Sequence, residues 1–328
     1  MTKHIRTFVL FIAMAVAAQA QQLPQYSQYL HNAFVFNPAT AGASGSPEFK
    51  LVMRSQWTGL KDLSANQQIS TFSINAPLRE GKVGLGGYVF KDEFGPVSKT
   101  GISGTYAYHI NLNSSSKLSF GLSGSMYLYK LNTDALIFDI YENTDNVLTT
   151  PGNFKAYTPN LGFGTYYTGE KLFLGLSVPE MIPARITSSQ NADFFIMQVK
   201  QHYFLMGGTM LKLSDDVTMK PSMMLKIVKG APTQADVNVM FDLKRSFYVG
   251  GSYRTNDAVV LMFGINLKDM WRLGYSYDMI TSNLKQYAKS SHELMISYNL
   301  FKKGKKEDAP SKENSDQQQT PPPDNEQK

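Results

Sequence analysis

The sequence predicts an all-β fold, a transmembrane antiparallel up-and-down β-barrel of about fourteen strands. Alternation of apolar with small or polar residues recurs from Phe49 to Phe301, which marks strands with one apolar and one polar face. The alternating stretches run about nine to eleven residues, the length of a tilted membrane strand. Tight turns alternate with mostly longer connections, as in outer-membrane barrels. Composition agrees. Charged residues are 18% of the chain, below the roughly 25% of an average soluble domain. Phe 20, Tyr 18 and Gly 25 suit a β-rich chain. The mean hydropathy of −0.25 is too polar for a helical membrane bundle. A soluble sandwich alternates too, so strand length, turn asymmetry and face chemistry carry the choice.

Residues 1–20 read as a secretory signal. Lys3 and Arg6 supply its charged start, Phe8 to Val16 its apolar stretch, and Ala18-Gln19-Ala20 a small-x-small cleavage site. The apolar run is shorter than the ~20 residues that span a bilayer as a helix. Its removal takes the formal charge from +6 to +4. Residues 21–48 form a periplasmic or lumenal segment rich in aromatic and amide side chains, ending in a Gly/Ser bend. Residues 49–301 hold the barrel. Residues 302–328 carry six basic and six acidic side chains with Gln and Pro runs, a composition that cannot bury a core. They are expected to be a disordered periplasmic tail.

Within the barrel the parity is explicit. Phe49, Leu51, Met53 and Trp57 oppose Lys50, Arg54 and Gln56. Leu118, Phe120, Leu122 and Met126 oppose Ser119, Gly121, Ser123 and Ser125. Val259 to Leu267 and Leu294 to Leu300 repeat the pattern. A Lys or Arg facing lipid near the midplane costs about 2–4 kcal/mol. Arg54, Lys220, Lys226 and Arg272 are therefore expected to face the lumen. Trp57, Tyr166, Tyr167, Trp271 and Tyr277 lie near strand ends, where they suit either interfacial girdles or cross-strand packing. Tight turns are read at 77–81, 111–116, 169–170, 213–217, 244–246 and 268–269. The intervening connections are 59–66, 91–98, 130–155, 179–201, 229–234, 255–258 and 280–290. An even strand count returns both chain ends to the periplasm.

Catalytic and metal chemistry leaves little trace. With no Cys there is no disulfide, thiol nucleophile or Cys-ligated metal, and no acylated N-terminal Cys anchor. His31, His109, His202 and His292 are scattered and match no ligand spacing. Gly84-Leu85-Gly86-Gly87 lies inside a strand pattern and reads as small lumen-facing residues. Asp139, Tyr141, Asn143 and Asp145 faintly echo a calcium loop but lack its Gly and its closing Glu. No catalytic, metal or cofactor residues are assigned, and the mild charge gives no nucleic-acid footprint.

The start of the mature chain is its most specific feature. It reads Gln25-Tyr26-Ser27-Gln28-Tyr29, then Asn32, Asn37-Pro38-Ala39 and Ala41-Gly42, followed by Arg54-Ser55-Gln56-Trp57. This resembles the PorP/SprF family of type IX secretion membrane proteins from Bacteroidota. The likeness continues to Ser291-His292-Glu293 and Tyr298. It implies a non-enzymatic outer-membrane barrel that assists secretion or surface anchoring of a cognate cargo, such as a large adhesin with a C-terminal sorting domain. Periplasmic ring components of the secretion machine are implied partners, beside outer-membrane lipid, and a gliding-motility role is implied for some members. On this reading the connections 130–155 and 179–201 face the cargo. Gln25, Tyr26, Gln28, Tyr29, Asn37, Pro38, Gly42, Arg54 and Trp57 are the motif residues. Tyr26, Tyr29, Asn37 and Arg54 are expected to form one cluster that seals the barrel or serves an interaction. A porin or solute transporter is the alternative, since Gly and Ser on the lumen face would also suit an open pore.

Overall fold

The computed structural model describes residues 23–59, 66–132, 153–187, 195–244, 246–268 and 270–300. The signal segment, the tail and the weak calcium-loop pattern at 139–145 lie outside these residues. No helix among them is long and apolar enough to cross a membrane.

The chain after Pro47 runs through β1 (Glu48–Thr58), β2 (Gln67–Leu78), β3 (Val83–Phe94), β4 (Val97–Asn111), β5 (Lys117–Asn132), β6 (Asn153–Thr168) and β7 (Leu172–Val178). A small hairpin follows, β8 (Ala184–Thr187) with β9 (Phe195–Val199). The wall resumes with β10 (His202–Thr209) and its short continuation β11 (Leu211–Lys212). It finishes with β12 (Val217–Val228), β13 (Gln234–Leu243), β14 (Phe247–Arg254), β15 (Ala258–Leu267), β16 (Trp271–Ile280) and β17 (Ser290–Asn299). Every neighbour is antiparallel. β1 pairs with β17 from Glu48↔Asn299 to Ser55↔His292, and β10 joins β7 to β12. The result is a closed barrel of 14 strands, the transmembrane up-and-down architecture that the alternation predicts.

Burial explains why the pattern folds this way. On β2, Ile69, Thr71, Ser73 and Asn75 are buried while Phe72 and Ile74 are exposed. On β5, Ser119, Ser123, Ser125 and Tyr127 are buried while Leu122 and Met126 are exposed. In water this distribution would be inside out. In lipid it places apolar side chains outward and lets the closed ladder satisfy the backbone without an edge. All four expected cations face inward. Arg54 and Lys226 are buried, Lys220 pairs with Asp242, and Arg272 donates to Asn266 at 2.7 Å.

One barrel end carries compact turns and the other most of the long connections. The connection expected at 91–98 is instead tight, because β3 and β4 pair up to Phe94↔Val97 around Gly95 at φ +55°. The connection at 179–201 also differs from a free loop. β7 pairs with β6 only over Phe163–Thr168, after which the chain turns inward at Pro179. The Asn160 side chain then stands in for a strand, donating to Ile182 O (2.9 Å) and accepting from Ile182 N–H (3.1 Å). Ile186 and Val199 of the hairpin bury against the lumenal faces of Phe90, Tyr127 and Tyr129.

Candidate functional site

The lumen is occupied by the chain's own N-terminal segment. From Leu23 at the loop end it descends the barrel to Pro47 at the turn end, touching the wall on nearly every side. Its apolar anchors are Tyr26, Tyr29 and Phe36, which pack with inward-facing Val52, Ile69, Phe204, Met206, Met224 and Met295. Each such side chain taken out of water stabilises the docked state by about 1.5–3 kcal/mol. The phenols also keep hydrogen bonds, Tyr26 with Thr71 Oγ1 at 2.5 Å and Tyr29 with Ser222 Oγ at 3.0 Å.

A buried charge cluster latches the upper plug. Ser27 Oγ donates to Asp278 (2.8 Å) and accepts from Arg54 (2.8 Å) and Arg254 (3.2 Å). The backbone N–H groups of Ser27 and Gln28 both donate to Glu293, at 2.7 and 3.0 Å. Arg54 donates to Asp278 at 2.7 Å and lies 3.4 Å from Glu293. Arg254 adds contacts to Asp236, Asp257 and Asp278. Charges this deep persist only when paired and hydrogen-bonded. Gln25 donates to Asp257 at 3.2 Å, and Gln28 Oε1 accepts from the Tyr248 hydroxyl at 2.8 Å.

The lower plug follows from Asn37-Pro38. Asn37 Oδ1 caps the turn Pro38–Thr40 by accepting from Ala39 N–H at 3.0 Å, and Pro38 fits the first turn position, where no N–H is needed. Asn37 Nδ2 donates to Thr165 O at 3.0 Å. Gly42 takes φ +70° and donates its N–H to Asn75 Oδ1 at 2.9 Å. His109 Nε2–H donates to Ala41 O at 2.9 Å, while Nδ1 accepts from Ser119 at 2.7 Å. His31 Nδ1 accepts from Arg272 at 2.7 Å, and the Lys50 ammonium donates to His31 O. Burial, with Arg272, Lys220 and Lys50 nearby, holds the His31 imidazole well below its usual range.

The wall is shaped for this segment. A Cβ on Gly121 would sit 2.3 Å from the backbone of Pro38 and Ala39, and one on Gly84 1.9 Å from Ala41 O. These lumen-facing glycines are seats for the plug rather than the lining of an open pore.

The motif residues therefore converge on the plug and its wall without forming one cluster. Arg54 meets the segment at Ser27, and Tyr26 shares an apolar cluster with Tyr29. Asn37 lies apart, against β6 and β7. Trp57 departs from its parity. A bulge between Ser55 and Thr58 and a φ of +60° turn it away from the lipid face to stack edge-on with Phe94 at 5.5 Å. Tyr166 also points inward, packing on the plug core, whereas Trp271 lies exposed on the outer face against Tyr298. Sequence reading placed Ser27 and Glu293 in the family pattern without a role, and it missed Arg254, Asp257 and Asp278. The signal available was an inward Arg54, which demands a buried acid on another strand.

Above the plug the barrel opens into a vestibule of about 600 Å³ at the loop end. Leu23 and Gln25 form its floor, and Trp57, Lys99, Glu180 and His202 are among its walls. Lys99 donates to Glu180 at 2.7 Å and lies 4.2 Å from the Tyr127 ring centroid, clamping the inward turn. Among the described residues no group of three His, Cys, Asp or Glu side chains is placed to hold a metal ion.

Solved structures are similar to the chain. The CymD monoaromatic hydrocarbon channel is 11% identical with a TM-score of 0.50, covering 81% of this chain and 91% of that one. A Pseudomonas aeruginosa FadL homologue is 9% identical at TM-score 0.46, covering 82% and 94%. The KdgM porin is 8% identical at TM-score 0.37, covering 77% and 99%. Identities this low speak to the fold alone. No curated protein matches the chain. A family model described as type IX secretion system membrane protein PorP/SprF matches residues 18–298, a span that takes in the whole plug and nearly all of the wall. The chain belongs to the PorP/SprF family of type IX secretion system membrane proteins.

Proposed function

We propose that the protein is a plugged outer-membrane accessory of type IX secretion that holds a cognate cargo at its loop end. The observation that carries this reading is the filled lumen. The plug is tied to β2, β6, β12, β16 and β17 by side-chain bonds, and the wall glycines leave it room. A barrel built around its own N-terminal segment favours binding over conduction, which weighs against the porin reading. Short turns mark the periplasmic end in barrels of this type, so the loop end faces outward. The cargo would be a large secreted protein, such as an adhesin with a C-terminal sorting domain, and gliding motility is one process such a display would serve. The chain would act without catalysis, after removal of residues 1–20, in the outer membrane of a Bacteroidota cell. The tail 302–328 would extend from the turn end, where the periplasmic ring components lie. The nine motif residues would act by fixing the plug and the vestibule above it.

Native co-purification tests this reading. The barrel is extracted in mild detergent from its own membrane and its companions are identified by mass spectrometry. A stoichiometric secreted protein with a C-terminal sorting domain is the expected result. A barrel recovered alone, and conducting steadily in a planar bilayer, would overturn it.

A further inference from the structure

The start of the plug fixes where the preceding residues must go. Leu23 lines the vestibule, and its N–H donates to His202 Nε2 at 3.4 Å. Leu23 and Pro24 also meet Tyr88 and Phe90 of β3 around one small void. Asp92 stands two residues above Phe90 on the same inward face, about 6–7 Å nearer the loop end. Two residues before Leu23 span at most about 7 Å. With residues 1–20 removed, those two are Gln21 and Gln22, and the α-amine of Gln21 comes level with Asp92.

Asp92 carries the odd charge of the lining. The charged side chains on the vestibule are Asp92, Glu180 and Asp257 against Lys99 and Lys200, three carboxylates to two ammonium groups, or −1. His202 accepts through Nε2 and adds no charge. Glu180 is taken by Lys99 at 2.7 Å, and Asp257 by Arg254 and Gln25, each at 3.2 Å. Lys200 is engaged as well. Half-buried Asp92 accepts one hydrogen bond, from Gln67 at 2.8 Å, and forms no ion pair among the described residues. Trp57, Phe94 and Tyr129 bring aromatic rings to the same lining. A carboxylate without a cation, set among aromatic rings, is a chemistry that receives an ammonium group. An ammonium tethered two residues away has a large advantage in effective concentration over one diffusing in from solution.

We propose that the loop-end vestibule seats the mature N-terminus, whose α-ammonium pairs with Asp92. The inference rests on removal of residues 1–20, because Gln21 gains its α-amine only then. Intact mass of the barrel purified from its own membrane reads the first residue. The α-amine is then acetylated across a pH series and followed in the N-terminal peptide by mass spectrometry. A free α-amine titrates at about 7.7–8.0, and a carboxylate within ~4–6 Å favours its charged form. The labelling midpoint should therefore lie about one pH unit or more above that range, with acetylation at pH 7 about tenfold slower than in Asp92→Asn. Asparagine keeps an acceptor for Gln67, and heat-modifiable migration checks the fold. Glu93→Gln, next along on the exposed face, should keep the parent profile. A short Gly-Ser extension before Gln21 carries the amine out of the vestibule and should label like Asp92→Asn. A first residue other than Gln21 overturns the leader assignment and the proposal together. A Gln21 start with an ordinary midpoint, or with a profile unchanged in Asp92→Asn, overturns the proposal alone. So does loss of one ammonia from the parent, which shows that the α-amine has attacked its own side-chain carbonyl and closed a neutral lactam.

Discussion

Replacing Arg54 by Ala tests whether the charge cluster holds the plug. The Arg54 guanidinium donates to Asp278 (2.7 Å), Ser27 (2.8 Å) and Gln56 (3.2 Å), with Glu293 at 3.4 Å. Its partners belong to both bodies, Ser27 to the plug and Asp278 and Glu293 to the wall. Breaking a buried pair by removing one member costs about 3–5 kcal/mol. Arg254 remains within 3.2 Å of both Asp278 and Ser27, so the lower figure applies. About 3 kcal/mol is roughly a hundredfold shift toward an undocked upper plug. The barrel itself should stay closed, because its ladders do not involve the guanidinium. In a planar bilayer the parent should be silent and Arg54→Ala should flicker open. Arg54→Lys, which keeps charge but loses the fork geometry, should lie between them. A double-mutant cycle with Ser27→Ala should show coupling of about 0.5–3 kcal/mol. A silent Arg54→Ala barrel with additive energetics would refute the latch.

Three further outcomes follow from the same geometry. Gly121→Val should dislodge the Pro38–Ala39 turn and raise conductance, while Gly124→Ala, whose added carbon meets nothing within 4 Å, should match the parent in the same assay. Lys99→Ala strands the buried Glu180 carboxylate, at a cost of about 3 kcal/mol, so limited proteolysis should begin to cut within 179–201. His31 is held neutral when docked, whereas its free value is about 6.5. Undocking therefore takes up a proton below that pH, and docking stability should be constant above it and fall by up to ~1.4 kcal/mol per unit below it. Channel openings should rise between pH 7.5 and pH 5, and His31→Gln should make the profile shallower without abolishing it, because His109 and His202 also bond the plug as neutral imidazoles.

The wall was legible because one physical contrast governs it. Leu122 and Met126 meet lipid while Ser123 and Ser125 meet the interior, and that contrast is written residue by residue. The cations obeyed the same rule, since the cost of placing Arg54 in lipid leaves only the lumen. What fills the lumen was less legible. Period two reports which face a residue takes and says nothing of what that face meets, so Gly84 and Gly121 suit a water-filled pore and a plug seat equally well. The ion partners were hidden for a related reason. Asp278 and Glu293 lie 224 and 239 residues from Arg54, and only barrel closure brings their strands together. Trp57 was misplaced because a bulge adds one residue to the count, and an alternation reading cannot see it.

That misplacement bears on what the family motif is for. Gln25 and Ser27 come from the plug, and Arg54, Gln56 and Trp57 from β1, yet all five lie at one level of the barrel. Arg54 fixes Ser27 and donates to Gln56 Oε1, and Gln56 lines the vestibule beside Trp57. The motif thus has two faces. One faces down, binding the plug through buried charges, and the other faces up, presenting amide and indole groups to the loop-end cavity. A motif that served only to seal the barrel would have no need of its upper face, and a bulky side chain in the left-handed region would be a cost without an offset. Trp57→Leu separates the two roles. It should leave the plug docked and the bilayer silent while changing what the vestibule binds, because no plug residue depends on the indole for a hydrogen bond. A Trp57→Leu barrel that leaks would instead assign the indole to the seal, and the upper face with it.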